Sequence, residues 1–326
     1  MPEAPKRVLL TGATGFIGAN LARRLVHDGH EVHLLVRPAE ARWRIDSISD
    51  DLRLHEVTLQ QQDLVEETVV GIDPQWVFHL AAYGAYSSQR DVQSIVSTNY
   101  NGTVNLVEAC LKTGFESFVN AGTSSEYGYK DHAPVETELP EPNSHYAASK
   151  AAATLYCRFT AQQQRRSLST LRLYSVFGPW EDPTRLVPTL LIRALRGELP
   201  PLVSPTIARD YVYIDDVVDA FLLAARTATP EVGPVYNVGT GTQTTMHELV
   251  ALVREIFSLA AEPQWGSMPD RGWDTDVWVC DPTSIATGLG WKAGCGLEEG
   301  LRSFAAWLAS DEDVLRHYET ARTPPR

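Results

Sequence analysis

Cysteine is scarce in this 326-residue chain, and the four present, Cys110, Cys157, Cys280 and Cys295, are widely spaced. That spacing suggests neither a compact metal knuckle nor a Cys-x-x-Cys redox pair, so reduced and mostly buried thiols are expected. Long apolar runs are missing as well. None approaches the roughly 18 residues of a membrane span, and no early stretch joins a basic flank, an apolar run and a small-residue cleavage site. A soluble cytoplasmic protein is the expectation. Positive charge is in short supply: 28 Lys plus Arg stand against 41 Asp plus Glu, a formal net charge of -13. The acidic excess disfavours a broad nucleic-acid footprint, while a local basic pocket for phosphates stays open. Internal repeats and low-complexity segments are absent too, which argues against a solenoid.

What the chain does have is length, with 44% hydrophobic residues, enough for one sizeable core or two closely packed domains. Residues 7 to 36 read as strand, glycine-rich turn, helix and strand: Val8, Leu9 and Leu10 lead into "TGATGFIG", a helical pattern runs through Leu21, Leu25 and Val26, and Gly29 closes it before Val32 to Val36. Further apolar strands are expected at 76–80, 117–121 and 169–173, with crossover helices at 95–113 and 146–164. This pattern predicts an α/β fold, a doubly wound, Rossmann-like parallel sheet covered on both faces. From about Val176 the texture changes, with Pro179, Pro183, Pro188, Pro200, Pro201 and Pro205 in quick succession. We expect residues 1–175 to form a dinucleotide-binding domain and 176–326 mainly a smaller substrate-binding lobe, the chain returning to the sheet near 235–240. Helices are expected at 245–257 and 297–309, with Phe304 and Trp307 as core packing.

Gly12, Gly15 and Gly18 stand three apart between a strand and a helix, where a diphosphate needs close approach to backbone N–H groups. Phe16 and Ile17, at the start of the helix, belong to the same cradle. The residue closing the second strand approaches the adenine-side ribose, and an acid there would bond both ribose hydroxyls and repel a 2'-phosphate. This chain has Arg37 instead, followed by Pro38, with no acid before Glu40. A guanidinium suits phosphate oxygens, so NADP(H) is favoured and NAD(H) remains possible. Arg42 and Arg44 can add to the same field, or all three can be ordinary solvated arginines. Asp63, with Leu64 beside it, is a candidate for the adenine amino group, and Leu80 and Ala81 close the fourth strand against the cofactor.

Tyr146 and Lys150 in "HYAASK" lie four apart and share a helix face. A phenol with pKa near 10 is a poor base at neutral pH, but a neighbouring ammonium favours the phenolate and makes proton transfer to or from a sugar hydroxyl feasible. Thr123 follows the strand "FVNA" at the edge from which hydroxyls reach the crevice, with Ser124 and Ser125 as second candidates.

Together "TGATGFIG", "HLAA" at 79–82, "TSSEYG" at 123–128, "YAASK" at 146–150 and "RDYVYIDDVV" at 209–218 resemble the extended short-chain dehydrogenase/reductase family, in its branch that modifies nucleotide sugars. The resemblance implies an enzyme with Tyr146 and Lys150 as catalytic pair, Thr123 as hydroxyl partner, Asn99 on the helix beside the site, and Arg209 toward the substrate diphosphate. It also implies a homodimer. Arg185 is a weaker candidate for the diphosphate, Asp215 is expected to brace the following helix, and Tyr83, Tyr86 and Trp180 are candidates to border the sugar. One departure matters: where members that eliminate water carry two acids, this chain has Ser124 and Ser125, and Glu126 falls one residue late, on the opposite face if the segment is a strand. Expected first is therefore NADPH-dependent reduction of a nucleotide-linked 4-keto-6-deoxyhexose. The alternative is an NAD-dependent 4-epimerase; a 4,6-dehydratase and a non-catalytic dinucleotide sensor rank below.

Overall fold

The computed structural model describes residues 4–86, 88–227, 232–268 and 275–320. In chain order its elements are β1 (Arg7–Thr11), α1 (Phe16–His27), β2 (Glu31–Val36), β3 (Leu52–Glu56), α2 (Gln62–Ile72), β4 (Trp76–His79), α3 (Val92–Val96), α4 (Gly102–Leu111), β5 (Ser117–Thr123), α5 (His145–Gln164) and β6 (Leu168–Leu173). There follow β7 (Ser175–Phe177), α6 (Leu186–Leu195), β8 (Ala208–Arg209), β9 (Tyr211–Tyr213), α7 (Ile214–Arg226), β10 (Val235–Val238), β11 (Thr244–Thr245), α8 (Met246–Phe257), α9 (Thr283–Leu289), α10 (Leu297–Ala309) and α11 (Glu312–Thr320).

Seven strands form a sheet in the order β10-β6-β5-β4-β1-β2-β3, and every neighbouring pair is parallel. The alternation within β1 shows why both faces are covered. Val8 and Leu10 join the apolar cluster shared with α1 and α7, whereas Leu9 faces Val65 and Val69 of α2, Leu106 of α4 and Cys157 of α5. Strand order reverses between β1 and β4, so the crossovers part there and open a crevice at the C-terminal ends of the strands. That crevice is where the doubly wound fold places a ligand.

The helix expected at 95–113 is interrupted. Residues Ser97–Asn101 form a wide π-type turn between α3 and α4, which leaves Asn99 fully buried. Gly102 closes the turn where a Cβ would stand 2.9 Å from Leu59 Cβ, so the loop after β3 packs directly on this corner.

Beyond residue 175 a parallel pair, β7 with β9, and an antiparallel pair, β8 with β11, lie among α6 and α8–α11. The same stretch also supplies α7, which packs on α1 and β5, and the edge strand β10, which pairs with β6. All four cysteines are free thiols, three of them buried. Among the described residues no helix is long and apolar enough to cross a membrane.

Candidate active site

The glycine turn is shaped by what a side chain would strike. Gly12 has φ of +74°, and a Cβ there would stand 2.6 Å from Ala81 N and from the Leu80 carbonyl carbon. Leu80 and Ala81 are thus brought against the turn by their backbones. A Cβ on Gly18 would lie 2.3 Å from the Gly12 carbonyl oxygen, which fixes how closely α1 approaches β1. Gly15 differs: a Cβ would meet only the Gly12 oxygen, at 3.2 Å, and the space beyond is open. It is the N-cap of α1, gives no side-chain cap, and no acid stands in the helix's first turn, which begins at Phe16 and Ile17. Unspent N–H groups and the positive end of the helix face that space, so a dinucleotide diphosphate fits the cradle.

At the end of β2 each arginine is already committed. Arg37 pairs with Glu40 at 2.5 Å and its side chain is 55% exposed. Arg42 pairs with Glu56 at 2.5 Å. Arg44 donates to the Trp180 carbonyl at 2.7 Å and the Thr14 carbonyl at 3.2 Å, lying 4.3 Å over the Trp43 ring. Arg37 and Arg42 thus lie in partly exposed ion pairs, while Arg44 is held by two backbone carbonyls. Asp63 stands in the first turn of α2, exposed, with Leu64 also on the surface. The residues that directly follow β3 are Val57, Thr58 and Leu59, of which Leu59 accepts from Asn105 Nδ2 at 2.8 Å, and next to them Gln60 donates to Thr98 at 2.9 Å. The Thr58 hydroxyl donates to Gln61 Oε1 at 2.9 Å.

Tyr146 enters in the first turn of α5, whose N-cap Ser144 accepts from the Ala147 N–H at 3.1 Å. Lys150, one turn on, is 2% exposed. Burial pushes the Tyr146 phenol up to about 12 and the Glu126 carboxylate adds to the rise, while the Thr123 hydroxyl and the Arg185 guanidinium oppose it. Burial lowers the Lys150 pKa, with Glu126 opposing. The protein alone therefore keeps the phenol protonated at neutral pH. Thr123, the last residue of β5, accepts from the Ser125 N–H at 3.2 Å, which orients its hydroxyl at the mouth of the crevice.

Behind this pair lies a buried polar frame. Asn99 accepts from the Tyr83 N–H at 2.8 Å and donates to the Tyr83 carbonyl at 2.8 Å and to Ser149 Oγ at 2.9 Å. Its amide is occupied in joining the loop after β4 to α5. His79 bonds Thr11 through Nδ1 at 2.7 Å and Thr103 through Nε2 at 2.8 Å, and Thr103 in turn donates to the Asn99 carbonyl. Burial, aided by Lys150, pushes His79 down to about 3, so the ring is a neutral brace.

Residues Ser124–Tyr127 form a 3₁₀ turn, not a strand. Glu126 is turned away from the crevice by this turn rather than by strand alternation: Oε2 accepts from Arg172 Nε at 2.9 Å, and Oε1 from the Thr123 N–H at 3.0 Å and Thr154 at 3.0 Å. Ser124 and Ser125 lie ahead of it in the same turn.

From the lobe, Arg185 reaches the site, donating to the Ala85 carbonyl at 2.9 Å with its guanidinium 4.8 Å over Tyr86. Arg209 donates to the Ala208 carbonyl at 2.7 Å and lies 5.4 Å over Trp278. Asp215 and Asp216 both stand in the first turn of α7, and the Asp216 carboxylate also accepts from the Gly294 and Cys295 N–H groups at 3.0 Å each. Trp180 is a ring of the aromatic packing between the lobe and the loop after β2. It packs among Trp43, Trp307 and Arg23, the last 4.0 Å over its ring.

Comparison with known proteins agrees with this geometry. A family model described as NAD dependent epimerase/dehydratase family matches residues 8–239. The UDP-glucose 4-epimerase of Mycolicibacterium smegmatis is 31% identical over 306 residues, covering 90% of this chain and 96% of the relative. The structure of the Thermus thermophilus UDP-glucose 4-epimerase in complex with NAD superposes with a TM-score of 0.82 at 31% identity, covering 93% and 99% of the two chains. That of the Bacillus cereus UDP-glucuronic acid 4-epimerase, in complex with UDP-glucuronic acid and NAD, gives 0.81 at 25% identity over 93% and 98%. The NAD in these relatives corrects the NADP expectation drawn from Arg37, whose side chain is 55% exposed and so fits the alternative of an ordinary solvated arginine. From the glycine cradle to the Tyr146–Lys150 helix, this chain belongs to the NAD-dependent epimerase/dehydratase family of extended short-chain dehydrogenases/reductases and is an enzyme of that family.

Proposed function

We propose that this enzyme is a 4-epimerase of a nucleoside-diphosphate sugar that retains NAD through its catalytic cycle. The observation that carries the reading is the turn beside Tyr146: Ser124 and Ser125 offer hydroxyls but no acid, and Glu126 is spent on Arg172. Elimination of water needs a proton donor and acceptor at the neighbouring carbons, whereas epimerisation at C4 needs a single acid–base group and a hydroxyl partner. Bound NAD would accept the C4 hydride and return it to the opposite face of the ring. Tyr146 would take the C4 hydroxyl proton and restore it, Thr123 would steady that oxygen, and Lys150 would favour the phenolate once the cofactor's positive ring lies beside it. The glycine turn would hold the diphosphate of the cofactor, with Asp63 near its adenine end and Leu80 and Ala81 along its length.

On the substrate side, Arg209 and Arg185 are proposed for the sugar-nucleotide diphosphate, with the lobe after residue 175 closing over the sugar and Tyr83 and Tyr86 at its edge. The reading includes a homodimer. Leu155 and Phe159, one turn apart on α5, are 55% and 58% exposed, and Val92 and Val96 are exposed on α3, which packs on α5. The test is extraction of the dinucleotide from purified protein and identification by mass, with NAD and NADPH titrated into the stripped protein. NAD is the expected occupant, and replacing Arg37 with Ala should change its affinity by less than about fivefold, because an exposed ion pair is worth ~1 kcal/mol at most. Retained NADP, or a selective loss of NADPH binding in the Arg37 variant, would contradict the reading.

A further inference from the structure

Glu126 is a carboxylate with no exposure to solvent, set directly behind the reactive pair. Three elements converge on it. The end of β5 gives the Thr123 N–H, α5 gives the Thr154 hydroxyl, and β6 gives Arg172 Nε, at 3.0, 3.0 and 2.9 Å. Its seat exists because residue 122 is glycine: a Cβ there would lie 2.8 Å from Glu126 Oε1 and 3.2 Å from Arg172 Cγ. Thr154 lies one helical turn beyond Lys150, so the α5 face that presents the ammonium also binds the carboxylate. Burying an ion pair so completely does little for stability compared with an apolar filling, which makes a second use the more economical account of its presence.

We propose that Glu126 is a positioning residue for the proton-transfer step, locking Thr123 to α5 and holding a fixed negative charge behind Tyr146 and Lys150. The proposal rests on the reading of Tyr146 as the proton-transfer group. Tyr146 is faced by Thr123 at the end of β5, Glu126 in the turn that follows, Tyr86 in the loop after β4, and Arg185 at the start of α6, with Lys150 one turn along its own helix. Glu126 is faced by Arg172, Lys150, Cys157 and Thr154. Among these, Glu126 is the negative charge that acts on the phenol, raising its pKa, and it also raises that of Lys150. A neutral residue of the same shape should therefore let the phenol ionise at lower pH while keeping the packing.

The test is a titration of Tyr146 in NAD-saturated protein by near-ultraviolet phenolate absorbance. The signal from the remaining tyrosines is removed by subtracting the same titration of the Tyr146→Phe variant, since the chain holds 12 tyrosines. Replacing Glu126 with Gln should lower the midpoint by about one pH unit, and Glu126→Asp, which keeps the charge, should restore most of it. Thr154→Val, which removes a hydrogen bond but no charge, should leave the midpoint near that of the wild type. The double variant Glu126→Gln with Arg172→Gln removes both charges of the buried pair and should also titrate low, which covers the case in which the single variant fails to fold. An unmoved midpoint in a folded Gln variant would overturn the proposal, as would failure of both Gln variants to fold, which would assign the pair to the fold alone. A wild-type phenol with no titration attributable to Tyr146 in the working range would instead count against the reading of Tyr146 itself.

Discussion

Tyr146 is a weak acid in an enclosed place, with burial and Glu126 pushing its pKa up to about 12 and Thr123 and Arg185 pulling it down. A phenol in that state keeps its proton at neutral pH and serves as a base only after a positive charge arrives beside it. Replacing Tyr146 with Phe should lower turnover by roughly 100-fold or more and leave NAD affinity close to that of the wild type, because only the proton path is removed. Steady-state turnover beside a direct NAD titration checks both halves. The pairing of Tyr146 with Lys150 and the glycine spacing were legible in the sequence, since each depends on separations of three or four residues within one local element. Partners distant in sequence were not. Glu40 stands three positions from Arg37, yet the left-handed turn at Ala39 that brings them together does not show in residue types. Glu126 meets Arg172 across 46 positions, and only the pairing of β5 with β6 makes them neighbours.

Among the elements, the β1–turn–α1 unit is held by backbone contact more than by side chains. α1 buries Gly18, Ala19, Leu21, Ala22 and Leu25, a face narrow enough for the helix to sit against β1. A methyl group on Gly18 would press on the Gly12 carbonyl, and neither backbone can yield without moving the turn. Gly18→Ala should therefore cost about 3 kcal/mol in urea unfolding and weaken NAD by at least tenfold, the second effect following from displacement of the N–H groups at the start of α1. Strand positions were readable from apolar runs because parallel strands are buried on both faces. The break at Ser97–Asn101 was not, because residues on either side keep a helical pattern and the wide turn is imposed by packing: Asn99 must reach Tyr83 and Ser149, and Gly102 must clear Leu59.

Over the whole molecule, the lobe and the sheet are joined by more than the crevice. The Trp43, Trp180, Trp307 and Tyr318 rings lock α10 and α11 to the loop after β2, and Tyr318 donates to the Glu181 carbonyl at 2.6 Å. Glu181 itself is buried there, and burial raises its carboxyl to about 8, with Arg185 opposing. A raised carboxyl pKa means that the folded state binds the proton more tightly than the unfolded chain between the ordinary value of 4.5 and about 8. Stability should therefore fall as pH rises through that window, by up to a few kcal/mol, and Glu181→Gln should flatten the dependence. Urea unfolding across the window, in both proteins, is the measurement. The packing role of Trp307 was legible in sequence, but the rings clustered with it, Trp43, Trp180 and Tyr318, were not, because the cluster draws on segments far apart in the chain. Transfer of the C4 hydride to bound NAD and back is tested by supplying a nucleotide sugar deuterated at C4 to the purified enzyme without added dinucleotide. Interconversion of the two C4 epimers is expected, with the deuterium kept at C4 and no net oxidation or reduction of cofactor. Loss of the mass of water from the product, or turnover that proceeds only with stoichiometric consumption of a reduced dinucleotide, would contradict retained-cofactor epimerisation.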